Sequence, residues 1–531
     1  MNLHISSVAV LALVGVPLAA EPAPSKAPTT APDWSSHILT PAAPKTPRIN
    51  GASVYGERPG RPFLYTIPAT GERPMTFSTD GLPDGLSLDE KTGRITGVVK
   101  DAGEQVVTLH AKNSLGENAK KLRIVIGDKI ALTPALGWNS WNCWAGAVDQ
   151  EKVLHSAKAF VNAGLIDHGW TYINIDDTWQ GKRDPQTKGL LGNEKFPDMR
   201  GLCDQIHNMG LKAGIYSTPW MTSYAGFPGS SADNEDGSWV KPEKNKEGHH
   251  FGKYPFVEND AKQWAADGFD YLKYDWYPND EPAVRAMHDA LLNSGRDIVY
   301  SLSNNLPFDH AKMATELANS WRTTVDIRDT WPSITSIGFT QNRWAPFAAP
   351  GHWNDPDMLV VGWVGWGPNL HASKLTADEQ YTHISLWSLL SAPLLIGCDL
   401  DRLDPFTLNL LTNDEVLAID QDALGKEATL VSKQGREVTP NQAKNPKNKP
   451  PTFSAGQVWL KDLEDGNHAA GLFNLSDEPM KVKADFSDLK LEGKQTVRDV
   501  WRQKDLGSFD GSFETEVAPH GVVLVKLTKS S

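Results

Sequence analysis

The stretch Tyr271-Leu-Lys-Tyr-Asp275-Trp decides how this chain folds. A short β-prone run ends in a carboxylate, with a helical pattern before it over 260–267 and another after it over 281–293. The same unit recurs in both directions. Further helical patterns cover 150–163 and 199–209, and candidate strands lie at 135–138, 172–175, 212–216, 271–274, 298–302, 320–323, 351–353 and 394–397. Strand-helix alternation of this length predicts a parallel α/β domain, and eight strands are the number of a (β/α)8 TIM barrel. A doubly wound open sheet is the alternative, but the Gly-rich first turn that marks its nucleotide site is missing.

The flanks have a different texture. Over 48–128, short β-prone runs such as 63–67, 106–111 and 122–126 are broken by Gly, Pro and Asp, which predicts a small Ig-like β-sandwich. The barrel is expected over 129–423. Beyond it, over 424–531, the runs 457–463, 469–475, 496–501 and 522–527 predict a C-terminal antiparallel β-sandwich, with an exposed loop at 434–451. Residues 21–47, rich in Pro, Ala, Ser and Thr, predict an extended linker. Residues 1–20 place an apolar run after a short polar start, as in a secretory signal peptide, so a secreted or periplasmic protein is expected; a buried N-terminal strand is the alternative.

The 531 residues are enough for several domains with a sizeable core. The 65 acidic residues outnumber 52 Lys and Arg, giving a net charge of −13 with no polybasic block, so nucleic acid and anionic membrane are poor partners. No stretch reaches the length of apolar residues that spans a bilayer. Three widely spaced cysteines, Cys143, Cys203 and Cys398, make neither a disulfide framework nor a metal motif. Nineteen Trp suit sugar stacking and core filling alike.

In such a barrel the reactive groups stand just past the C-terminal ends of the strands. Those positions hold Trp138 to Trp141, Asp176 and Asp177, Tyr216, Lys273 and Asp275, Ser301 to Asn305, Arg322 with Asp326, Asp355 and Asp357, and Asp399. Carboxylates accept from hydroxyl groups while Lys and Arg donate, so this rim suits a neutral, polyhydroxylated ligand. Cleaving a glycosidic bond takes one carboxylate to attack the anomeric carbon and one carboxyl group to give and recover a proton. Asp275 and Asp326 are the expected pair. Lys273 is expected to hold Asp275 ionised, and shielding to raise the pKa of Asp326 so that it acts as the acid. An isolated Asp usually caps a helix or solvates a surface; joint placement at strand ends overrides that reading. With no HxH or HExxH, and with His249-His250 in a Gly-rich loop, no metal is expected.

Seven motifs occur in order: Gly137-Trp-Asn-Ser-Trp-Asn, Tyr172-Ile-Asn-Ile-Asp-Asp-Thr-Trp, Gly214-Ile-Tyr, Tyr271-Leu-Lys-Tyr-Asp, Trp321-Arg with Asp326-Ile, Trp353-Asn-Asp-Pro-Asp-Met-Leu-Val, and Ile419-Asp-Gln-Asp-Ala-Leu-Gly. In these the chain resembles glycoside hydrolase family 27, the melibiase or α-galactosidase family. The resemblance implies a retaining, exo-acting enzyme that releases terminal α-D-galactosyl residues from oligo- or polysaccharides without metal or organic cofactor. It implies Asp275 as nucleophile and Asp326 as acid/base. It further implies that Trp138 packs on the sugar face, Asp176 and Asp177 bind O4 and O6, Lys273 reaches O3 and O4, Arg322 reaches O2, and Tyr216 and Asp357 complete the wall. The segment 48–128 resembles the Ig-like module that precedes the catalytic domain of some bacterial glycosidases, which implies support or binding.

The chain departs from that pattern in two places. Eukaryotic members commonly carry a Cys two residues after the nucleophile, where Trp276-Tyr277 stand here, so that disulfide is absent. Many α-galactosidases carry Cys-Glu-Trp where this chain has Leu302-Ser303-Asn304. A Ser in place of the Glu admits an acetamido group in the related α-N-acetylgalactosaminidases, while Leu306 is larger than the residue those enzymes have nearby. Activity as an α-N-acetylgalactosaminidase, β-L-arabinopyranosidase or isomalto-dextranase stands as the alternative within the family. A non-catalytic carbohydrate-binding protein is the alternative outside it, opposed by the presence of both Asp275 and Asp326.

Overall fold

The computed structural model describes residues 32–367, 370–440 and 451–530; the expected signal segment and residues 21–31 of the expected linker lie outside the described residues. The central sheet has eight strands: β1 Leu136–Asn139, β2 Tyr172–Asn174, β3 Lys212–Ser217, β4 Tyr271–Asp275, β5 Val299–Ser303, β6 Ser320–Arg322, β7 Trp353–Asp355 and β8 Leu394–Ile396. They are parallel and lie in the order β7-β6-β5-β4-β3-β2-β1-β8. The remaining gap is closed by Leu359, whose N–H donates to Leu395 O at 2.8 Å and whose carbonyl accepts from Gly397 N at 3.0 Å. The sheet is therefore a closed barrel, not an open doubly wound sheet.

Parallel strands covered on both faces are apolar runs, and every residue of β1, β5 and β8 is buried. The outer helices Gln150–Asn162, Met199–Asn208 and Glu281–Leu292 start at Asp149, Asp198 and Asp280, whose carboxylates accept the free N–H groups of Lys152, Gly201 and Ala283. Helix Ala377–Leu389, opened by a Thr376–Glu379 capping box, is buried on almost every side. It lies between the barrel and the C-terminal strands.

Those strands make a six-stranded sheet from Thr429–Val438, Phe453–Asp462, His468–Asn474, Val522–Lys529, Gln495–Asp499 and Lys504–Phe509, faced by the pair Met480–Asp485 and Ser512–Val517. Their inner faces bury Val458, Leu472, Val482, Phe486, Val497 and Phe513. The loop expected from 434 onward begins later. Residues 434–438 belong to the edge strand Thr429–Val438, where polar side chains face solvent while the backbone pairs with Phe453–Asp462; 441–450 lie outside the described residues.

The N-terminal module packs a four-stranded sheet (Val54–Glu57, Gly116–Ile126, Gly103–Asn113, Thr76–Asp80) on a three-stranded one (Phe63–Thr66, Arg94–Gly97, Leu86–Leu88) around Phe63, Phe77, Ile95, Leu109 and Ile124. It covers the N-terminal face of the barrel. Lys212, at the start of β3, donates to Tyr55 Oη at 2.6 Å; Thr66 Oγ1 donates to Gly210 O at 2.8 Å; Arg58 binds Asp297, just before β5, through Nη1 at 2.8 Å and its backbone N–H at 2.7 Å.

The segment before this module is not an extended linker throughout. Thr40 is buried, its Oγ1 accepting from Asn413 Nδ2 at 2.9 Å; Leu39 N–H donates to Tyr381 Oη at 3.1 Å; and Trp34 lies 6.4 Å from the ring of Phe406. The apolar residues scattered among the prolines find partners on the barrel helices. The three cysteines are buried and free. No helix among the described residues is long and apolar enough to cross a membrane.

Because the Arg58–Asp297 pair sits at the face opposite the strand ends, Arg58→Ala is expected to lower unfolding free energy in urea by about 1–3 kcal/mol, leaving the Asp297 carboxylate unpaired, without changing kcat/KM. A change in kcat/KM with stability intact would contradict this division of labour.

Candidate active site

At the C-terminal rim the neighbouring strands set the side chains beside one another. Lys273 pairs in register with Tyr216 and Asp275 with Ser303. Tyr216 Oη donates to Asp275 Oδ2 at 3.0 Å, while Asp275 Oδ1 is buried and accepts no hydrogen bond among the described residues. Lys273 Nζ donates to Asp176 Oδ2 at 2.8 Å. Asp176 is positioned by Ser140 Oγ, which accepts from its N–H at 2.9 Å. Asp177 accepts from Gln180 Nε2 at 2.9 Å and from Ala225 N at 3.0 Å.

Across the rim, Arg322 at the end of β6 is 5% exposed and divides its Nη2 between Asp357 at 2.8 Å and Asp326 at 3.3 Å. Asp357, at a positive φ of 83°, also accepts from Ile327 N at 2.8 Å. It therefore anchors both Arg322 and the loop that carries Asp326, a positioning role beyond the wall expected of it. Ser303 is buried at the end of β5, its carbonyl accepting from Trp276 N and Asn279 Nδ2, both at 3.0 Å.

Two expectations need correction. Trp138 is fully buried, with its Nε1 donating to Cys398 O at 2.9 Å, so it offers no face to a sugar. It is a strand residue whose ring fills the barrel core. Trp141, three residues on, opens the helix Trp141–Trp144 and is the half-buried indole of this motif. The distribution of charge on the acidic pair is also reversed by the protein's own groups. Burial pushes Asp275 up to about 7, outweighing Lys273, whose ammonium is already engaged by Asp176. Desolvation of Asp326 is outweighed by Arg322 and then Lys273, which hold it below the usual carboxylate range; its side chain is 61% exposed.

Asn304, a strand-end residue just past β5, is joined at the rim by Tyr224, whose ring contacts His249. Tyr224 escaped the sequence reading because it belongs to a long connection without periodicity, and only folding brings it to the pocket. Among the described residues no group of three or more His, Cys, Asp or Glu side chains is arranged to hold a metal ion.

A closed parallel barrel with buried acids, a Lys and an Arg converging on its C-terminal rim defines a barrel glycoside hydrolase. The family model described as alpha galactosidase A matches residues 133–238 and 243–422, the alpha galactosidase C-terminal beta sandwich domain matches 454–527, and an Ig domain matches 46–126. The chain belongs to the α-galactosidase (melibiase) family, glycoside hydrolase family 27. It is 36% identical to Arabidopsis thaliana alpha-galactosidase 2 over 416 residues, 77% of this chain and 92% of that one. A solved structure from Bacteroides fragilis NCTC 9343 matches with a TM-score of 0.79 at 31% identity, covering 93% of this chain and 99% of that one. Alpha-galactosidase I from Mortierella vinacea matches with a TM-score of 0.63 at 29% identity, covering 75% and 98%.

Arg322 serves two carboxylates in a buried setting, so Arg322→Met is expected to destabilise the fold by about 3–5 kcal/mol in chemical denaturation, because Asp357 loses its cation. A loss below 1 kcal/mol would mean that Asp357 is held by its backbone donors alone.

Proposed function

We propose that this chain is a retaining, exo-acting α-galactosidase that releases terminal α-D-galactosyl residues by double displacement, with Asp275 as nucleophile and Asp326 as general acid/base. The observation that carries the reading is the Asp275 carboxylate: buried at the end of β4, oriented through Oδ2 by Tyr216, and with no hydrogen-bond partner for Oδ1 among the described residues. The Asp275 carboxylate attacks the anomeric carbon while Asp326, at the exposed rim, gives its proton to the departing glycosidic oxygen. A covalent galactosyl-enzyme results. Water, deprotonated by Asp326, then attacks the same carbon from the opposite side and releases galactose with its original configuration.

The reactive form needs Asp275 ionised and Asp326 protonated. A sugar covering Asp326 removes it from water and so favours its neutral form. Lys273 and Arg322, held charged by Asp176 and by Asp357 respectively, donate to galactosyl hydroxyls while Asp176 and Asp177 accept. Ser303 beside Asp275 is the feature that favours a second substrate, the α-N-acetylgalactosaminide, since a small side chain there leaves space for an acetamido group.

Hydrolysis of p-nitrophenyl α-D-galactopyranoside, compared with the α-N-acetylgalactosaminide and β-L-arabinopyranoside, tests the specificity. Release from none of them by the wild-type protein would favour a binding protein. Asp275→Ala is expected to abolish release, and Asp326→Ala to reduce it by about 10²–10⁴-fold. Added azide is expected to give the β-galactosyl azide with Asp275→Ala and the α-galactosyl azide with Asp326→Ala, since only the second variant still forms the covalent intermediate. The opposite pairing of anomers would exchange the two roles.

Tyr216 donates to Asp275 and so favours its ionised form. Because Asp275 is the weaker acid of the pair in the free protein, it sets the basic limb of a kcat/KM profile that needs Asp275 ionised and Asp326 protonated; Tyr216→Phe is expected to move that limb to higher pH and to lower the plateau, since less of the protein is then in the reactive form. An unmoved basic limb would show that another group limits the rate at high pH.

A further inference from the structure

The connection from β3 to helix Val257–Asp267 carries Tyr224 to the rim of the pocket. Tyr224 is 36% exposed, and its ring is braced edge-on by Trp220 at 5.4 Å and His249 at 5.1 Å, which are stacked on each other at 5.0 Å and 17°. Its backbone is fixed as well: its carbonyl accepts from Asn245 Nδ2 at 3.2 Å, and the next N–H, of Ala225, donates to Asp177 Oδ2 at 3.0 Å. The phenol is hydrogen-bonded with Asn304, and its ionisation is opposed by burial and then by the charges of Asp275 and Asp326. The ring thus stands within the field of both carboxylates, held on three sides, with part of its surface free.

The groups expected to hold galactose are buried, or in the case of Lys273 partly buried, whereas Tyr224 and Asp326 are exposed. The acid/base has to stand at the glycosidic oxygen, and the leaving-group sugar begins there. A rigid aromatic surface beside that oxygen can pack against the apolar C–H face of a pyranose, and its bracing means that little side-chain freedom is lost on binding.

We propose that Tyr224 is a specificity-determining residue whose ring holds the leaving-group sugar of an α-galactoside. The proposal rests on the α-galactosidase reading above. Its test compares galactosyl-α-1,6-glucose, whose leaving group is a sugar, with α-galactosyl fluoride, whose leaving group has no ring. In Tyr224→Ala, and in Tyr224→Ser as a second variant, the ratio of kcat/KM for the disaccharide to that for the fluoride is expected to fall about tenfold or more. Tyr224→Phe keeps the ring and is expected to keep the ratio within about threefold of wild type. A ratio unchanged in both small variants, whether both rates fall or neither does, overturns the proposal. A wild-type protein that cleaves neither substrate overturns instead the α-galactosidase reading on which it rests.

Discussion

Leu359 pairs with Ile396 through two backbone hydrogen bonds, and that pairing turns an eight-stranded sheet into a barrel. Left open, β7 and β8 would be opposite edges, and Asp357 would lie a whole sheet away from β1. Closure brings all eight strand ends to one rim. The parallel direction matters equally, because it makes every strand terminate at the same face and leaves the other face free to be covered by the N-terminal module. The rim can then be polar while the strands beneath it stay apolar on both sides.

Charge at that rim is arranged in buried pairs, since an unpaired ion out of water would cost several kcal/mol. Lys273 is committed to Asp176 and Arg322 to Asp357. Each pair satisfies a cation before any ligand arrives, and each leaves its neighbouring carboxylate with a different fate. Asp275, whose burial outweighs the nearby Lys273 and the Tyr216 hydroxyl, retains its proton toward neutral pH. Asp326, on an exposed loop beside Arg322, gives its proton up early. A cation two residues away in sequence therefore says little about a carboxylate until its other partners are known.

The two β modules support the barrel from different sides. The N-terminal one contacts the starts of the strands through Tyr55, Arg58 and Thr66, far from the rim. The C-terminal one encloses helix Ala377–Leu389 and sends Lys461 into the interior, where it donates to Ser391 Oγ at 2.6 Å. Burial pulls this lysine down to about 8 and pushes Asp420 and Glu427 up to about 8. Glu427 in turn accepts from Asn354 Nδ2 on β7, the strand that leads to Asp357. The sandwich thereby reaches the underside of the active rim.

The seventh barrel strand, expected at 351–353, lies at Trp353–Asp355, where Trp-Asn-Asp makes no apolar run; the other seven were legible to within about a residue at each end, because most buried parallel strands are short runs rich in apolar residues. Asp176, Asp177, Lys273, Asp275 and Arg322 were legible as strand-end residues for the same reason. Helix Ala377–Leu389 carried no such signal: covered on both sides, it has no solvent face to create a period. The burial of Thr40 within a Pro-rich stretch, the confinement of Trp138 to the core and the approach of Tyr224 to Asn304 were equally hidden. By itself, then, the sequence determined the barrel, its flanking sandwiches and the acids along the rim, all of which follow from local patterns of polarity. Only the tertiary structure decided which indole is half-buried, which acid holds its proton and which loop residue comes to the rim, because burial and charge pairing depend on neighbours distant along the chain.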